Sequence, residues 1–134
     1  MAKRNWSRSK ADSGRGRWAA LYVTMNPQGH IFITKYTFER LGEPAAVELL
    51  YDKANASIGM APSSPETENL YPALKRSGHG GRVIRAYSFM QEFGITLPET
   101  VRFISAEIDE DEGILILDLR KVRSAAKPKK PKAH

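Results

Sequence analysis

One pattern occurs twice in this chain and constrains its fold more than any other feature of the sequence. Residues 29–42, GHIFITKYTFERLG, superpose without a gap on residues 81–94, GRVIRAYSFMQEFG, at an offset of 52 residues. Both copies begin and end with glycine, and with short insertions the match continues, so that Val47 falls on Val101. Any two small strand-helix-strand units share some apolar positions, but this repeat favours an internal duplication into two related units.

The residue types and their periodicity predict that each copy begins a β-α-β-β unit. In the first unit Thr37 is placed to cap the helix and Gly42 to end it. For the first unit the predicted elements are a strand over residues 30–34, a helix over 36–41, and strands over 46–51 and 58–61. For the second unit they are a strand over 82–86, a helix over 88–93, and strands over 100–108 and 114–119.

Two turns are predicted from local chemistry. Residues 26–29, Asn-Pro-Gln-Gly, fit a type II turn, because proline presets φ and glycine accepts positive φ. The acidic run 109–113, DEDEG, joins the last two strands of the second unit into a hairpin. Its carboxylates suit Ca²⁺, yet the run lacks the spaced ligands of a calcium-binding loop, so a solvated turn is favoured.

Composition divides the chain into five stretches. We expect a basic flexible arm over residues 1–18, the first unit over 19–62, a linker rich in Pro, Ser and Gly over 63–80, the second unit over 81–119, and a basic disordered tail over 120–134. The arm holds six bases and one acid, and the tail seven bases and no acid. The remaining residues hold eight bases and fourteen acids, so basic ends flank an acidic body.

Several classes of function are disfavoured. Because the chain has no cysteine, disulfides, thiolate zinc sites and cysteine nucleophiles are excluded. No apolar run approaches the roughly 20 residues of a membrane helix, so we expect a cytoplasmic protein without a membrane partner. His30 and His79 lack patterned carboxylate or cysteine partners, and no Ser-His-Asp arrangement is evident. We therefore expect no enzyme activity, metal, cofactor or small-molecule substrate.

The repeated order of strand, short helix ended by glycine, strand, turn and strand resembles the AbrB-like swapped-hairpin (SpoVT-AbrB) family. The layout is most similar to its tandem-repeat MraZ branch, whose units begin with an Asp-x-x-Gly-Arg turn and continue to a Leu-Gly pair. The corresponding pieces here are residues 26–30 with Leu41-Gly42, and residues 77–82 with Phe93-Gly94. The motif aspartate is absent from both copies, and the motif arginine remains only at Arg82.

The resemblance spans roughly residues 25–119 and implies both a fold and a function. The implied fold is mainly β with short helices, in which two pseudo-repeated β-α-β-β units interleave into one swapped-hairpin-like barrel, within one chain or across a homodimer or higher oligomer. The implied function is that of a DNA-binding transcriptional regulator.

The charge distribution also favours binding to nucleic acid, since clustered Lys and Arg neutralise phosphates and release counterions. We expect a regulator or accessory protein that binds DNA or RNA, with the basic tails adding nonspecific phosphate affinity and Trp6 and Trp18 available for stacking on bases. The residues expected to contact nucleic acid are Arg82, Arg85, Lys35, Arg40, Arg15, Arg17, Lys127, Lys129 and Lys130. Such a site requires that the bases of the body be segregated from its acids.

The alternative function belongs to another class. An acidic core with basic tails also fits a protein-interaction or assembly module of phage or mobile-element type, without nucleic-acid specificity.

Overall fold

The computed structural model describes residues 21–63, 70–76, 78 and 80–125. Over these residues the chain is mainly β, with two antiparallel sheets and two short helices, as the sequence predicts. The strands are β1 (Val23–Met25), β2 (His30–Ile33), β3 (Ala46–Asp52), β4 (Ser57–Pro62), β5 (Tyr71–Pro72), β6 (Leu74–Lys75), β7 (Arg82–Arg85), β8 (Val101–Phe103), β9 (Glu107–Asp109), β10 (Ile114–Asp118) and β11 (Val122–Ser124). The helices are α1 (Lys35–Arg40) and α2 (Tyr87–Phe93).

The two sheets enclose one apolar core. The six-stranded sheet has the order β11-β8-β1-β2-β7-β6, and the five-stranded sheet has the order β5-β3-β4-β10-β9. Side chains alternate along each strand, so that one side of each sheet is buried and the other faces outward. The largest fully buried apolar side chains come from both sheets and are Phe103, Met25, Ile31, Ile33, Ile58, Met60, Ile84, Leu115, Leu117, Val23 and Val47.

Two chain segments pass from one sheet to the other. Between residues 71 and 75 the chain pairs first with β3 through β5 and then with β7 through β6. Between residues 101 and 109 it pairs first with β1 through β8 and then with β10 through β9. The predicted hairpin is therefore correct only in its second half, because residues 101–103 join the other sheet. Local sequence could not show this, since Met25 of β1, which pairs with Val101, is 76 residues away (101 − 25).

The stretch predicted as a linker contains the two short strands β5 and β6, which are held by these pairings. Likewise, part of the segment predicted as a disordered tail is structured, because β11 pairs with β8 and Val122 packs against the core. The rest of the predicted tail, residues 126–134, lies outside the described residues, as do the predicted arm, residues 1–18, and residues 19–20.

Both helices are one to two turns long and are fixed at their ends. The N-cap of α1 is Thr34, whose side chain accepts a hydrogen bond from the Thr37 backbone N–H at 3.2 Å, so the expected cap at Thr37 is wrong by one turn. Thr37 is instead buried, and its hydroxyl accepts a hydrogen bond from the backbone N–H of Tyr22. Gly42, with φ of 97°, follows the last turn of α1, and Gly94 caps α2 in the left-handed conformation, as predicted.

The turn between β1 and β2 differs from the predicted type. A type II turn needs positive φ at its third residue, Gln28, but among the described residues positive φ in this turn falls on Gly29 at 89°. The Asn26 carboxamide oxygen accepts hydrogen bonds from the backbone N–H groups of Gln28 and His30 and so stabilises the turn. This pattern matches a three-residue loop closed by a glycine bulge.

The two segments that repeat in sequence lie side by side. In the β2–β7 register Ile31 is opposite Ile84 and Phe32 is opposite Val83. The backbone passes closely at the glycines that open both copies. A Cβ atom at Gly29 would lie 2.7 Å from the Tyr87 Cα, and one at Gly81 would lie 2.7 Å from the Ile33 carbonyl oxygen. Neither of the two described helices has the length and apolar character needed to cross a membrane.

Candidate nucleic-acid interface

The outer side of the six-stranded sheet carries arginines. In β8 the residues flanking Arg102 are buried, so the strand alternation turns Arg102 outward. Arg123 of β11 is opposite Arg102 in the register and therefore lies on the same side. In β7 the buried side chain is Ile84, which places Arg85 on the outer side.

Two aromatic rings on this side have an arginine stacked over them. The Arg102 Cζ lies 4.6 Å from the centroid of the Tyr22 ring, and the Arg76 Cζ lies 4.7 Å from that of Phe32. Contacts of this kind contribute about 0.5–1 kcal/mol at exposed sites. They hold the two guanidinium groups in place against the sheet. We call the outer side of this sheet the basic face, formed by Arg76, Arg85, Arg102, Arg123, Tyr22, Thr24, His30 and Phe32.

The arginines of the basic face lack acidic partners within the described part of the chain. The ion pairs found there join Lys35 to Glu39, Arg40 to Glu110 and Arg120 to Asp118. The Arg102 Nε is also buried without a hydrogen-bond partner among the described residues. Among the described residues, none of the four arginines of the basic face therefore forms an ion pair with a carboxylate.

The acids gather on the outer side of the five-stranded sheet. The alternation that buries Val47 and Leu49 turns every second residue of β3 outward, beginning at Glu48 and continuing to Asp52. The register aligns these residues with the outward residues of β4, β10 and β9. We call this side the acidic face; its carboxylates are Glu48, Asp52, Glu107, Asp109 and Asp118. Its centre is apolar, with Leu50 exposed to 40%.

Two carboxyls of the acidic face have lowered pKa values and stay ionised. The side-chain amide of Asn55 hydrogen-bonds to Asp52 at 2.8 Å and holds its pKa below the usual value. Arg120 makes two side-chain hydrogen bonds to Asp118, each 3.1 Å long, and lowers its pKa in the same way. Four arginines thus lie on the outer side of one sheet and five carboxylates on the outer side of the other, where Arg120 is a cation that pairs with them.

A groove of about 450 Å³ opens on the basic face where β1 and β2 meet the start of α1. Three of its lining side chains are aromatic, namely Tyr22, Phe32 and Tyr36. Two are cationic, namely Lys35 and Arg76. A concave surface that combines rings with cations is suited to a flat, anionic ligand.

The four predicted contact residues within the described chain do not form one cluster. Arg85 lies on the basic face, and Lys35 lines the groove, where it pairs with Glu39 at 3.7 Å. Arg40 borders the groove by donating a hydrogen bond to the Tyr36 hydroxyl at 3.3 Å, and it also pairs with Glu110 in the acidic β9–β10 turn at 3.4 Å.

Arg82 is turned toward the core side of β7. It donates hydrogen bonds from Nη1 to the carbonyl oxygens of Gly80 and Gly81 at 2.8 and 3.0 Å, and its Cζ lies 4.1 Å from the centre of the Phe38 ring. This arginine fastens the loop before β7 to helix α1. The remaining predicted contact residues, Arg15, Arg17, Lys127, Lys129 and Lys130, lie outside the described residues, as do Trp6, Trp18 and His79.

Sequence reasoning missed Arg76, Arg102 and Arg123. A signal for Arg102 was present, because it stands between Val101 and Phe103 in a predicted strand and alternation places it outward. No such signal existed for Arg76 and Arg123, which were assigned to a linker and a tail. Their place on the face depends on pairings with distant strands.

The histidine and the acidic run considered as ligand sites have ordinary structural roles. His30 packs edge-on against Phe32, with ring centroids 6.1 Å apart. In the β9–β10 turn the Asp109 carboxylate accepts a hydrogen bond from the Asp111 backbone N–H at 2.9 Å, which makes it a turn-stabilising residue. Within the described ranges no group of three or more His, Asp or Glu side chains is arranged to hold a metal ion.

Comparison of the chain with protein-family models, curated proteins and solved structures finds no match.

Proposed function

We propose that the protein binds nucleic acid through the basic face and acts on DNA as a transcriptional regulator or accessory factor. The observation that carries this proposal is the segregation of charge between the two sheets. A phosphate backbone at the basic face meets four arginines that lack acidic partners among the described residues. Five carboxylates that would repel it lie on the outer side of the other sheet, whereas Glu39 and Glu99 stand closer, beside Lys35 and Ser124.

The basic ends of the chain add to this attraction. Residues 1–18 and 126–134 carry Lys and Arg in excess, and such segments neutralise phosphates without reading sequence. In this proposal the folded face sets the orientation of the polymer, while the ends contribute nonspecific affinity.

We also propose that the two sheets are parts of one swapped-hairpin-like barrel built from two duplicated units. If residues 29–42 and 81–94 are equivalent, Ile31 corresponds to Val83 and Phe32 to Ile84. In the observed register Ile31 is opposite Ile84, the counterpart of Phe32, and Phe32 is opposite Val83, the counterpart of Ile31. A two-fold axis between β2 and β7 would produce this pattern. If Ile58 is equivalent to Ile114, Gly59 and Met60 correspond to Leu115 and Ile116. Gly59 is opposite Ile116 and Met60 is opposite Leu115, so the same exchange holds between β4 and β10.

The close backbone contacts of the two glycines that open the repeated segments support the same barrel. Gly29 packs against the backbone at residues 86–87, and Gly81 packs against the backbone at residues 33–34. At the offset of 52 residues, 33–34 correspond to 85–86, so the two contacts differ by one residue. A relation to the AbrB-like family is part of this proposal, although the inward position of Arg82 moves the proposed contacts to Arg85, Arg102 and Arg123.

Fluorescence anisotropy with labelled duplex DNA tests the function. The full-length protein is compared with a variant carrying Arg85→Glu and Arg123→Glu, two exposed residues of the basic face. Its matched control carries Lys53→Glu and Arg120→Glu, which change the net charge equally but lie beside Asp52 and Asp118 of the acidic face. We expect the basic-face variant to lose about ten-fold or more in affinity at low salt, with a salt slope smaller by about 2, and the control to lose much less.

The proposal fails if the full-length protein does not retain DNA at low salt. Equal losses in the two variants would also contradict it, since binding would then follow net charge and not the basic face. The alternative of a protein-interaction module is favoured by one observation, the apolar centre of the acidic face around Leu50 and Ile116. A protein that ignores DNA at every salt concentration would support that alternative.

A further inference from the structure

The groove on the basic face has features that a phosphate backbone alone does not require. Lys35 and Arg76 supply the cations, while Tyr22, Phe32 and Tyr36 supply exposed or half-exposed rings. A duplex presents phosphates and base edges at its surface, but its base faces are stacked and hidden. Rings in a basic groove therefore contribute little to the binding of an intact duplex.

We infer that this groove binds unpaired bases, so that the preferred ligand is DNA with single-stranded character, such as a single strand or a melted bubble. This inference rests on the proposed nucleic-acid function and names its substrate class. Bases freed from a duplex stack on aromatic rings and on guanidinium planes, and the groove offers both.

The arrangement of the side chains is suited to stacking. Arg102 over Tyr22 and Arg76 over Phe32 are stacked pairs that already exist in the free protein, at 4.6 and 4.7 Å. A base added to either pair extends a preformed stack, so less side-chain entropy is lost on binding. The guanidinium N–H groups that point away from the rings remain available to the neighbouring phosphates.

The ends of the groove define a path for the chain of the ligand. Tyr22 is 42% exposed and lies beside Arg102, while Arg76 and Lys35 stand with Gly81 at the opposite side of the groove. The backbone of a single strand passing between these cations would keep its bases against the Arg76–Phe32 pair and the Tyr36 ring. The groove is large enough for a ligand of this kind, since its volume of about 450 Å³ lies within the range of small-molecule sites.

The test compares full-length protein on thymidine single strands, on matched duplexes and on duplexes with an unpaired bubble, all of equal length and at the same salt concentration. We expect the single strand and the bubble to bind at least five-fold more tightly than the duplex. The variants Tyr22→Leu and Tyr36→Leu keep an apolar side chain but remove a ring. Each should lower single-strand affinity about five-fold or more without changing the salt slope.

Tyr87→Leu is the matched control, because Tyr87 is an exposed tyrosine outside the groove and should leave affinity unchanged. The inference is overturned if single strands bind no better than duplexes, or if both groove variants bind single strands like the natural protein. Those outcomes leave the proposed function standing, provided that the duplex is retained at low salt. If no form of DNA is retained, the proposed function and this inference fall together.

Discussion

At the scale of single residues, the two glycines that open the repeated segments have a steric role. Gly29 combines positive φ with close contact to the backbone of Tyr87, and its carbonyl oxygen accepts a hydrogen bond from the Ala86 N–H at 2.7 Å. Any side chain there would push β2 and the start of α2 apart. Arg82 shows the opposite case, because a residue expected on chemical grounds to bind phosphate instead fastens a loop.

Replacing Gly29 tests this role. Gly29→Ala introduces a Cβ 2.7 Å from the Tyr87 Cα, whereas Gly42→Ala has a similar φ of 97° but meets nothing within 4 Å. Both variants lose the conformational freedom of glycine, so their difference isolates the clash. We expect Gly29→Ala to lower the free energy of unfolding by roughly 1–3 kcal/mol more than Gly42→Ala, measured by urea denaturation. Equal losses would show that the backbone at residues 86–87 moves aside freely.

At the scale of elements, short strands form because distant partners hold them. β11 is three residues long, yet the backbone N–H of Ile104 donates to the Lys121 carbonyl oxygen and that of Ala125 donates to the Thr100 carbonyl oxygen. These bonds continue the ladder between β8 and β11. Without β11, strand β8 would become an open edge of the six-stranded sheet.

Truncation measures the contribution of β11. A chain ending at Leu119 loses the strand, and a control chain ending at Ala125 keeps it. Because several backbone hydrogen bonds of about 1 kcal/mol each are lost together with the packing of Val122, we expect the shorter chain to be less stable by roughly 2 kcal/mol or more. Thermal unfolding followed by far-UV circular dichroism provides the comparison. Identical curves for the two chains would assign no stability to β11.

At the scale of the whole molecule, the two sheets share strands of both sequence units, so neither unit has a core of its own. β2 pairs with β7, and β4 pairs with β10. The buried side chains of both units form one cluster. A chain of 134 residues with one core is expected to unfold in a single cooperative step.

Matched core substitutions test this interlocking. Ile31→Val and Ile84→Val remove the same methyl group from fully buried residues that face each other across β2 and β7. Each should lower the stability by about 0.5–1.5 kcal/mol while leaving one transition, with circular dichroism and hydrogen exchange reporting the same midpoint. Two separate transitions, each shifted by only one of the substitutions, would show that the units fold independently.

Local chemistry predicted much of the secondary structure but less of the candidate site. The helices, the glycines after them and most strands of the two units follow from periodicity and from the preference of glycine for positive φ. The divided strand at residues 101–109 could not be foreseen, because its two halves pair with β1 and β10. The predicted contact residues Arg85 and Lys35 lie on the basic face and in its groove, whereas Arg76 and Arg123 reach the face through pairings that only the folded chain contains.

The sequence by itself determined the repeat, the mainly β character and the excess of bases at the two ends, because these depend on residue type and short-range spacing. Tertiary structure alone decided which charged residues share a surface. Alternation assigns each side chain to one of two sides, but the partner strands decide whether that side gathers arginines or carboxylates. The repeated segment that opens at Gly81 illustrates the division. Its strand and helix are evident from sequence. The folded chain decides that the side of β7 carrying Ile84 and Arg82 faces the core, which leaves Arg85 on the basic face.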